Sequence, residues 1–153
     1  MRKLTGWEFL RFVGGLYCLE EGTLRSRGEE LLGIFDLTAD ADRLIDGYSH
    51  GMRQRLAFAA CFLHEPRAVI IDEPWVGLDP RHLRKAIEAL RTATARGTAV
   101  LLSTHSLALA EEIGGRIGIL NQGRFLWDGP IEKLLGEKDR LEEVFLRLTE
   151  EKE

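Results

Sequence analysis

Two adjacent carboxylates follow a short apolar run near the middle of the chain. Asp72 and Glu73 come directly after Ala68-Val69-Ile70-Ile71. An apolar, β-branched run of this length favours a strand buried on both faces of a parallel sheet, and open α/β folds bind ligands at the carboxyl ends of such strands. Neighbouring carboxylates repel, so they need a compensating cation or hydrogen bonds. The pair suits Mg²⁺ and phosphate chemistry, with one carboxylate on the metal and the other orienting water; a strand followed by an acidic turn is the alternative.

A histidine follows the next predicted strand. The run Thr98–Ser103 indicates a second buried strand, and His105 stands two residues after it. If the two strands are neighbours in the sheet, His105 lies beside the carboxylate pair. An imidazole in that position can bind a terminal phosphate and the attacking water. A purely structural role for His105 is the alternative reading of this segment.

A small hydroxyl and a glycine precede a predicted helix. Ser49 and Gly51 lead into an apolar helical pattern from about Met52 to Leu63. Free N–H groups and the helix dipole make such a helix start an anion site. Ordinary capping by Ser49 is the alternative, and the nearby Arg53 and Arg55 read as a small solvated basic patch.

The elements that position these residues form an α/β pattern preceded by helices. The order is helices first and then β-α-β-α-β-β-α, which predicts an α/β layer with a helical appendage. The individual signals are capping boxes at Thr5–Glu8 and Ser26–Glu29, a short helix plus loop over Asp36–Gly47, a helix from Pro80 to about Ala95, a helix from Ser106 to Ile113, a hairpin around Asn121-Gln122-Gly123 and an amphipathic helix over Asp139–Glu153.

Composition narrows the class of protein. The chain has 153 residues, a net charge of −4 and 44% hydrophobic residues, which predicts one ordered domain without a global attraction to nucleic acid or anionic membranes. Two cysteines are too few for a disulfide scaffold and suggest reduced thiols in a cytosolic setting. The longest apolar runs are far shorter than the ~18 residues of a membrane span. Any work at a membrane therefore needs a partner.

Taken together in this order and spacing, these motifs resemble the ATPase domain of the ATP-binding cassette (ABC) family. The resemblance covers nearly the whole chain, and the linked set of motifs is highly specific. The matching segments are the signature loop at Tyr48–Met52, the Walker B strand at Ala68–Asp72 with Glu73 as catalytic glutamate, the D-loop at Gly77–Pro80, the switch histidine at His105, the first helix of the helical subdomain at Leu4–Tyr17 and a hairpin at Asn121–Gly129.

The chain also departs from the family pattern. His50 and Met52 replace the usual Gly and Gln of the signature loop, so a side-chain role at position 52 is in doubt. No Gly-Lys-[ST] phosphate loop occurs in the sequence, and the glutamine loop is missing. The resemblance therefore implies an incomplete P-loop NTPase fold of the ABC ATPase type. A fragment, a subunit completed by another chain and a degenerate remnant all fit this pattern.

The implied organisation has three parts. These are a helical subdomain at residues 1–47, the C-terminal part of the parallel-sheet core at 48–135 with the signature loop, Walker B, D-loop and switch histidine, and a C-terminal helix with a charged tail at 136–153.

The resemblance implies ATP and Mg²⁺ as cofactors and gives each site residue a role. Asp72 would hold Mg²⁺ through water, Glu73 would polarise the hydrolytic water and His105 would contact the terminal phosphate. Ser49 and Gly51 would bind the phosphate of a partner's ATP. Asp79 would couple the two sites.

The implied system is a membrane exporter. The partners are a second ABC ATPase domain in a head-to-tail dimer, a membrane-spanning subunit that grips Leu4–Asp46, and a missing N-terminal half. The expected location is cytoplasmic and peripheral, at the cytoplasmic face of the membrane. One alternative is a soluble ABC ATPase acting on nucleic acid or ribosomes, which the acidic pI and the lack of basic arms oppose. The other is a degenerate, non-catalytic interaction subunit.

Overall fold

The computed structural model describes residues 3–136 and 139–150. The described residues divide into two compact units, one up to Ser103 and one from Thr104 onward, which are described separately below. The predicted boundaries after residues 47 and 135 fall inside these units, and the three-part division stays a prediction. The tail at 151–153 lies outside the described residues. The elements are α1 Gly6–Leu16, α2 Glu21–Ile34, α3 His50–Phe62, β1 Ala68–Asp72, α4 Pro80–Ala95, β2 Ala99–Ser103, α5 Leu107–Ile113, β3 Arg116–Asn121, β4 Arg124–Pro130, α6 Ile131–Leu134 and α7 Leu141–Glu150.

The two predicted capping boxes have different outcomes. At the start of α1 the Glu8 N–H donates to Thr5 Oγ1 at 3.1 Å, and the Thr5 N–H donates to Glu8 Oε2 at 2.8 Å. The second box is wrong, because Ser26 and Glu29 both lie inside α2, which has Glu20 as its N-cap. Buried leucines on both sides of Ser26 hold one continuous helix through this point.

The helical part of the first unit closes on itself. The Ile45 N–H donates to the Leu4 carbonyl at 2.9 Å, and the Tyr48 hydroxyl donates to the Asp40 carbonyl at 2.6 Å. The stretch after α2 contains 3₁₀ turns at Thr38–Asp40 and Ile45–Gly47, in line with the predicted short helix plus loop. Fully buried side chains, among them Leu10 and Phe35, form its core.

Strands β1 and β2 pair in parallel, with Ile70 opposite Leu101 and Asp72 opposite Ser103. Val69 is buried, and α4 packs against β2. The prediction that both faces are buried is wrong for this chain. Ile70 is 81% exposed and Leu101 is 66% exposed, because successive side chains point to opposite faces and the described residues cover only one of them. We call the surface of Ala68, Ile70, Ala99 and Leu101 the open face.

The second unit contains the predicted hairpin. Strands β3 and β4 pair antiparallel around Gln122-Gly123, whose φ angles of 48° and 76° suit a tight hairpin turn. Ile119, Ile131 and Leu141 form its core. The terminal helix begins at Leu141, whose N–H donates to Glu111 Oε2 at 2.9 Å.

No helix in the described ranges is both long enough and apolar enough to span a bilayer.

Candidate functional site

The structure places both carboxylates at the carboxyl end of the parallel strand pair. Asp72 ends β1 opposite Ser103, whose hydroxyl donates to Asp72 Oδ1. The Glu73 N–H donates to the Ser103 carbonyl at 3.2 Å and lies 3.3 Å from its Oγ. Glu73 has a left-handed φ of 43°, so the chain turns sharply as it leaves the strand. The two strand ends are therefore fixed to one another by Ser103.

The donors at this edge fit Mg²⁺ but do not complete a nucleotide site. Mg²⁺ takes oxygen ligands and is commonly held by one or two carboxylates together with water and substrate phosphates. Asp72 presents an exposed carboxylate beside the Ser103 hydroxyl, which suits that mode of binding. The described residues contain no cluster of three or more His, Cys, Asp or Glu side chains that could enclose a metal. The phosphate cradle is absent from the sequence, since no Gly-Lys-[ST] occurs in it.

Ser49 caps the start of α3, which begins at His50 rather than Met52. Its Oγ accepts from the Met52 N–H at 3.1 Å, which is the ordinary capping interaction. Ser49 is nevertheless exposed at the N-terminus of a helix of 13 residues. The helix start that carries Ser49 and Gly51 therefore remains accessible to an anion.

The helix start packs tightly against the loop that follows the carboxylates. A Cβ at Gly51 would lie 2.6 Å from the Gly77 carbonyl oxygen. Gly77 has a φ of 84°, and a Cβ there would lie 2.2 Å from His50 Cδ2. Gln54 adds a hydrogen bond from its Nε2 to the Pro74 carbonyl at 3.0 Å. Two glycines thus let the signature-like loop and the D-loop-like segment meet, a contact that the sequence reasoning missed although the glycines themselves were visible.

Asp79 is engaged within its own chain as the N-cap of α4. Its Oδ1 accepts from the N–H groups of Arg81 and His82, both at 3.0 Å, and its Oδ2 lies 2.6 Å from His82 Nδ1. The backbone hydrogen bond from His82 is the main cause that holds the pKa of Asp79 below its ordinary value. Pro80 at the first helical position completes a strong start signal. The coupling role of Asp79 stays a prediction.

A charged cluster at the end of α2 was not predicted. Asp36 has a left-handed φ of 52°, and its Oδ2 lies 2.7 Å from Lys85 Nζ, 3.6 Å from Arg81 Nη2 and 3.6 Å from His82 Nε2. The hydrogen bond from Lys85 is the main cause that lowers the pKa of Asp36. Arg55 Nη1 donates to the carbonyls of Phe35 at 2.7 Å and Asp36 at 3.1 Å.

The prediction of a solvated Arg55 is therefore wrong, because this side chain satisfies carbonyls at the end of α2. The Asp36 cluster ties the end of α2 to α4, next to Asp79. The sequence signal was the pair of cations one turn apart at Arg81 and Lys85, but nothing local pointed to Asp36.

His105 lies in the second unit, exposed, two residues after β2 ends. The predicted role of His105 requires β1 and β2 to be neighbours in the sheet, and within the first unit these two strands are paired. Its placement beside Asp72 and Glu73 stays a prediction.

Comparison with known proteins places the chain among ATPase domains. Residues 16–111 match the family model described as "AAA domain, putative AbiEii toxin, Type IV TA system", and the chain belongs to that family. More particularly, its similar proteins are ABC transporter ATP-binding proteins. The "Daunorubicin resistance ATP-binding protein DrrA2" of Streptomyces coeruleorubidus is 40% identical over 150 residues, which are 96% of this chain and 46% of that protein.

Two further comparisons agree. The "Fluoroquinolones export ATP-binding protein Rv2688c" of Mycobacterium tuberculosis is 37% identical over 132 residues, which are 86% of this chain and 42% of that protein. The solved structure titled "Structure of ATP binding subunit of ABC transporter" is 33% identical, with a TM-score of 0.91 over 97% of this chain and 64% of that chain. The resemblance to ABC ATP-binding proteins and the predicted ABC ATPase fold are thus confirmed. The chain spans less than half the length of these two curated relatives.

Proposed function

We propose that this chain carries the metal-binding and water-activating strand ends of an ABC exporter ATPase and hydrolyses ATP only when a phosphate loop is supplied by further protein. The observation that carries the proposal is the parallel pairing of Asp72 with Ser103, which fixes Glu73 at the same edge. ABC ATPases as a family use ATP and Mg²⁺. The names of the similar proteins, which concern drug resistance and export, support an exporter of small organic compounds over an ATPase that acts on nucleic acid.

The proposed chemistry divides between the two adjacent carboxylates. Asp72 holds Mg²⁺ through water, and Mg²⁺ when bound neutralises charge on the ATP phosphates. Glu73 accepts hydrogen bonds from the attacking water and orients it. His105 contacts the terminal phosphate. The left-handed turn at Glu73 supports this division, because the backbone leaves the strand direction directly after Asp72 and the two adjacent residues do not continue one strand.

The open face of the β1–β2 pair is the surface on which we propose that the missing phosphate-binding segment packs. The open face exposes Ile70 and Leu101 directly below the strand ends that carry Asp72 and Ser103. Exposed apolar surface on a strand pair is unusual for a protein that acts alone and favours a covering partner. We therefore propose that a further segment carrying Gly-Lys-[ST] covers the open face, as part of the same polypeptide or as a separate subunit.

A second ATPase domain is proposed as the partner at the start of α3. ATP-binding subunits of the ABC family dimerise. Ser49 and the backbone at Gly51 bind the phosphates of the partner's ATP in this proposal, and Asp79 couples the two sites. The tight Gly51–Gly77 contact supports this coupling role, because a movement of the loop that precedes Asp79 would displace the start of α3.

The membrane-spanning subunit is proposed to bind the helical region, Leu4–Asp46, at the end of α1. Phe12 and Leu16 lie one turn apart on α1 and Tyr17 is the C-cap residue that follows; the three side chains are between 53% and 65% exposed. ATP-binding subunits of the family work with a membrane subunit, and these side chains offer it an apolar contact. The proposed location is therefore cytoplasmic and peripheral to the membrane.

The test combines this chain with the separately purified part of DrrA2 that precedes the matched region, which we propose carries a phosphate loop. Mg²⁺-dependent phosphate release and ATP binding are measured on the complex. Glu73→Gln should abolish turnover and keep ATP bound, because it removes water activation and leaves Asp72. Asp72→Asn should weaken Mg²⁺-dependent ATP binding itself. Glu29→Gln, an exposed carboxylate on α2, is the matched control and should behave as wild type.

Ser49→Ala separates the two faces of the proposal. It should leave ATP binding by a single complex intact and weaken ATP-driven pairing of two complexes, as measured by light scattering. Failure of the halves to associate, or identical behaviour of the three site variants, would contradict these roles. A complex that binds ATP without any turnover would instead identify the non-catalytic interaction subunit.

A further inference from the structure

A cavity of about 750 Å³ lies in the first unit at the amino ends of β1 and β2. Arg67, which precedes β1, and Thr98, which precedes β2, both line it. The Ala99 N–H donates to the Arg67 carbonyl at 2.9 Å, so this edge of the strand pair is fixed. Asp72 and Ser103 lie at the opposite edge. The cavity is therefore separate from the proposed ATP site.

The cavity has an apolar floor and a volume suited to a small ligand. Pockets of roughly 300–1,000 Å³ with mostly apolar walls and a few placed polar groups are typical of small-molecule sites. Leu31 and Phe62 are buried beneath it, and Ile34 is partly exposed to it. The lining residues on α4 include Ala89 and Ala93, whose small side chains leave space between α2 and α4 unfilled.

Four basic side chains line the cavity, and two of them have no ion-pair partner among the described residues. Arg27 is paired with Glu30 at 2.7 Å and lies 3.5 Å from Glu65, and Lys85 is paired with Asp36. Arg67 and Arg96 also line the cavity, and neither has a side-chain partner among residues 3–136 and 139–150.

Glu88 is the one unpaired carboxylate in the described lining of the cavity. The unpaired charged groups of the lining are thus two guanidinium groups and one carboxylate, and together they carry a net charge of +1. Guanidinium groups bind carboxylates and phosphates with matched geometry, whereas Glu88 opposes an anion of high charge.

We propose that this cavity binds an amphipathic anion with a singly charged head and an apolar chain. Arg67 and Arg96 hold the charged head of the ligand, and the ligand's apolar tail lies against Leu31, Ile34 and Ala93. A ligand in this position contacts α2 and α4 together, and so it braces the helical region against the helix that Asp79 caps. A free fatty acid and a lipid phosphodiester share this chemistry.

The test uses calorimetric titration of the full chain with decanoate as the probe. One saturable site per chain is expected, with decanol binding at least about tenfold more weakly because it lacks the charge. Arg67→Gln with Arg96→Gln should weaken decanoate binding about tenfold or more, and Glu88→Gln should strengthen it about threefold. The matched control is Arg84→Gln, which removes an exposed charge of α4 that lies outside the cavity and should leave decanoate binding unchanged.

A space-filling variant distinguishes this cavity from adventitious binding elsewhere. Ala93→Trp should abolish decanoate binding while circular dichroism shows an unchanged fold. Equal affinity for decanol and decanoate, or binding that survives both Ala93→Trp and the double arginine change, would overturn the proposal. A fatty acid is the natural source if decanoate outcompetes dihexanoyl phosphatidylglycerol, and a phospholipid is the source if the order is reversed.

Discussion

The two strand pairs of this molecule are completed to different degrees. The hairpin of β3 and β4 has its own core, in which Ile119 and Leu141 are almost fully buried. The parallel pair of β1 and β2 leaves Ile70 and Leu101 exposed on its open face. A hairpin pairs neighbouring segments, whereas a parallel pair needs a crossover that covers only one face, and here α4 is that crossover. The region that carries the candidate site is thus the one that this chain does not cover by itself.

A matched pair of isoleucine substitutions tests this contrast with the largest expected effect. Ile119→Ala should lower the free energy of unfolding of the second unit by about 2–4 kcal/mol, because Ile119 is 6% exposed and a cavity replaces it. Ile70→Ala should change stability by less than about 0.5 kcal/mol, because Ile70 is already 81% exposed. Urea denaturation followed at several probes measures both. A large cost at Ile70 would show that the open face is covered in solution.

A glycine pair tests the contact that joins α3 to the loop after the carboxylates. Gly51→Ala should cost about 1–3 kcal/mol, because its Cβ would lie 2.6 Å from a backbone oxygen that cannot move freely. Gly33→Ala is the control, since no atom lies within 4 Å of a Cβ there and α2 should gain up to about 1 kcal/mol in helix propensity. Thermal unfolding compares the two. Equal effects would mean that the Gly51–Gly77 contact is not formed.

The two sequence-predicted capping boxes give a smaller contrast. Thr5→Ala should destabilise α1 by about 1 kcal/mol, because it removes the acceptor for the Glu8 N–H. Ser26→Ala lies inside α2 and should be neutral or slightly stabilising, since alanine is the better helix former. Hydrogen exchange of the first turns of α1 and α2 reads each effect locally. A loss of hydrogen-exchange protection in α2 after Ser26→Ala would show that Ser26 caps a helix start, as the sequence predicted.

The Asp36 cluster gives the smallest effect and a pH dependence. The pKa of Asp36 lies below its ordinary value of 3.8, so its contribution to stability is present above that pH and is lost as the pH falls through the lowered pKa. Asp36→Asn should cost under about 1 kcal/mol at pH 7, because the pair with Lys85 is partly exposed. The difference between the variant and wild type should decrease in unfolding measurements as the pH falls below 3.8. A difference that stays constant as the pH is lowered through that range would exclude this ion pair as its cause.

Local signals in the sequence predicted much of the fold and the place of the carboxylates. The apolar run before Asp72, the Asp-Pro start of α4 and the Gln122-Gly123 turn each act over a few residues, and the structure has β1, α4 and the hairpin there. The contact of Gly51 with Gly77 and the cluster around Asp36 could not be predicted in this way. They join segments far apart in the chain, and no local periodicity encodes such meetings.

The open face shows a different limit of sequence reasoning. An apolar strand pattern indicates that both faces can be buried, but it does not say which chain buries them. Ile70 therefore carries the pattern of a core residue and the exposure of a surface residue in the same molecule.

Mg²⁺-dependent phosphate release is the decisive measurement, made on this chain alone and again after addition of the N-terminal half of DrrA2. We expect no release above the Glu73→Gln background for the chain alone, because its sequence has no phosphate loop. We expect measurable turnover, dependent on Glu73, once the N-terminal half is present. Turnover by the chain alone that Glu73→Gln removes, or no turnover in an associated complex that binds ATP, would show that the proposed roles of the strand ends and the phosphate loop are wrong.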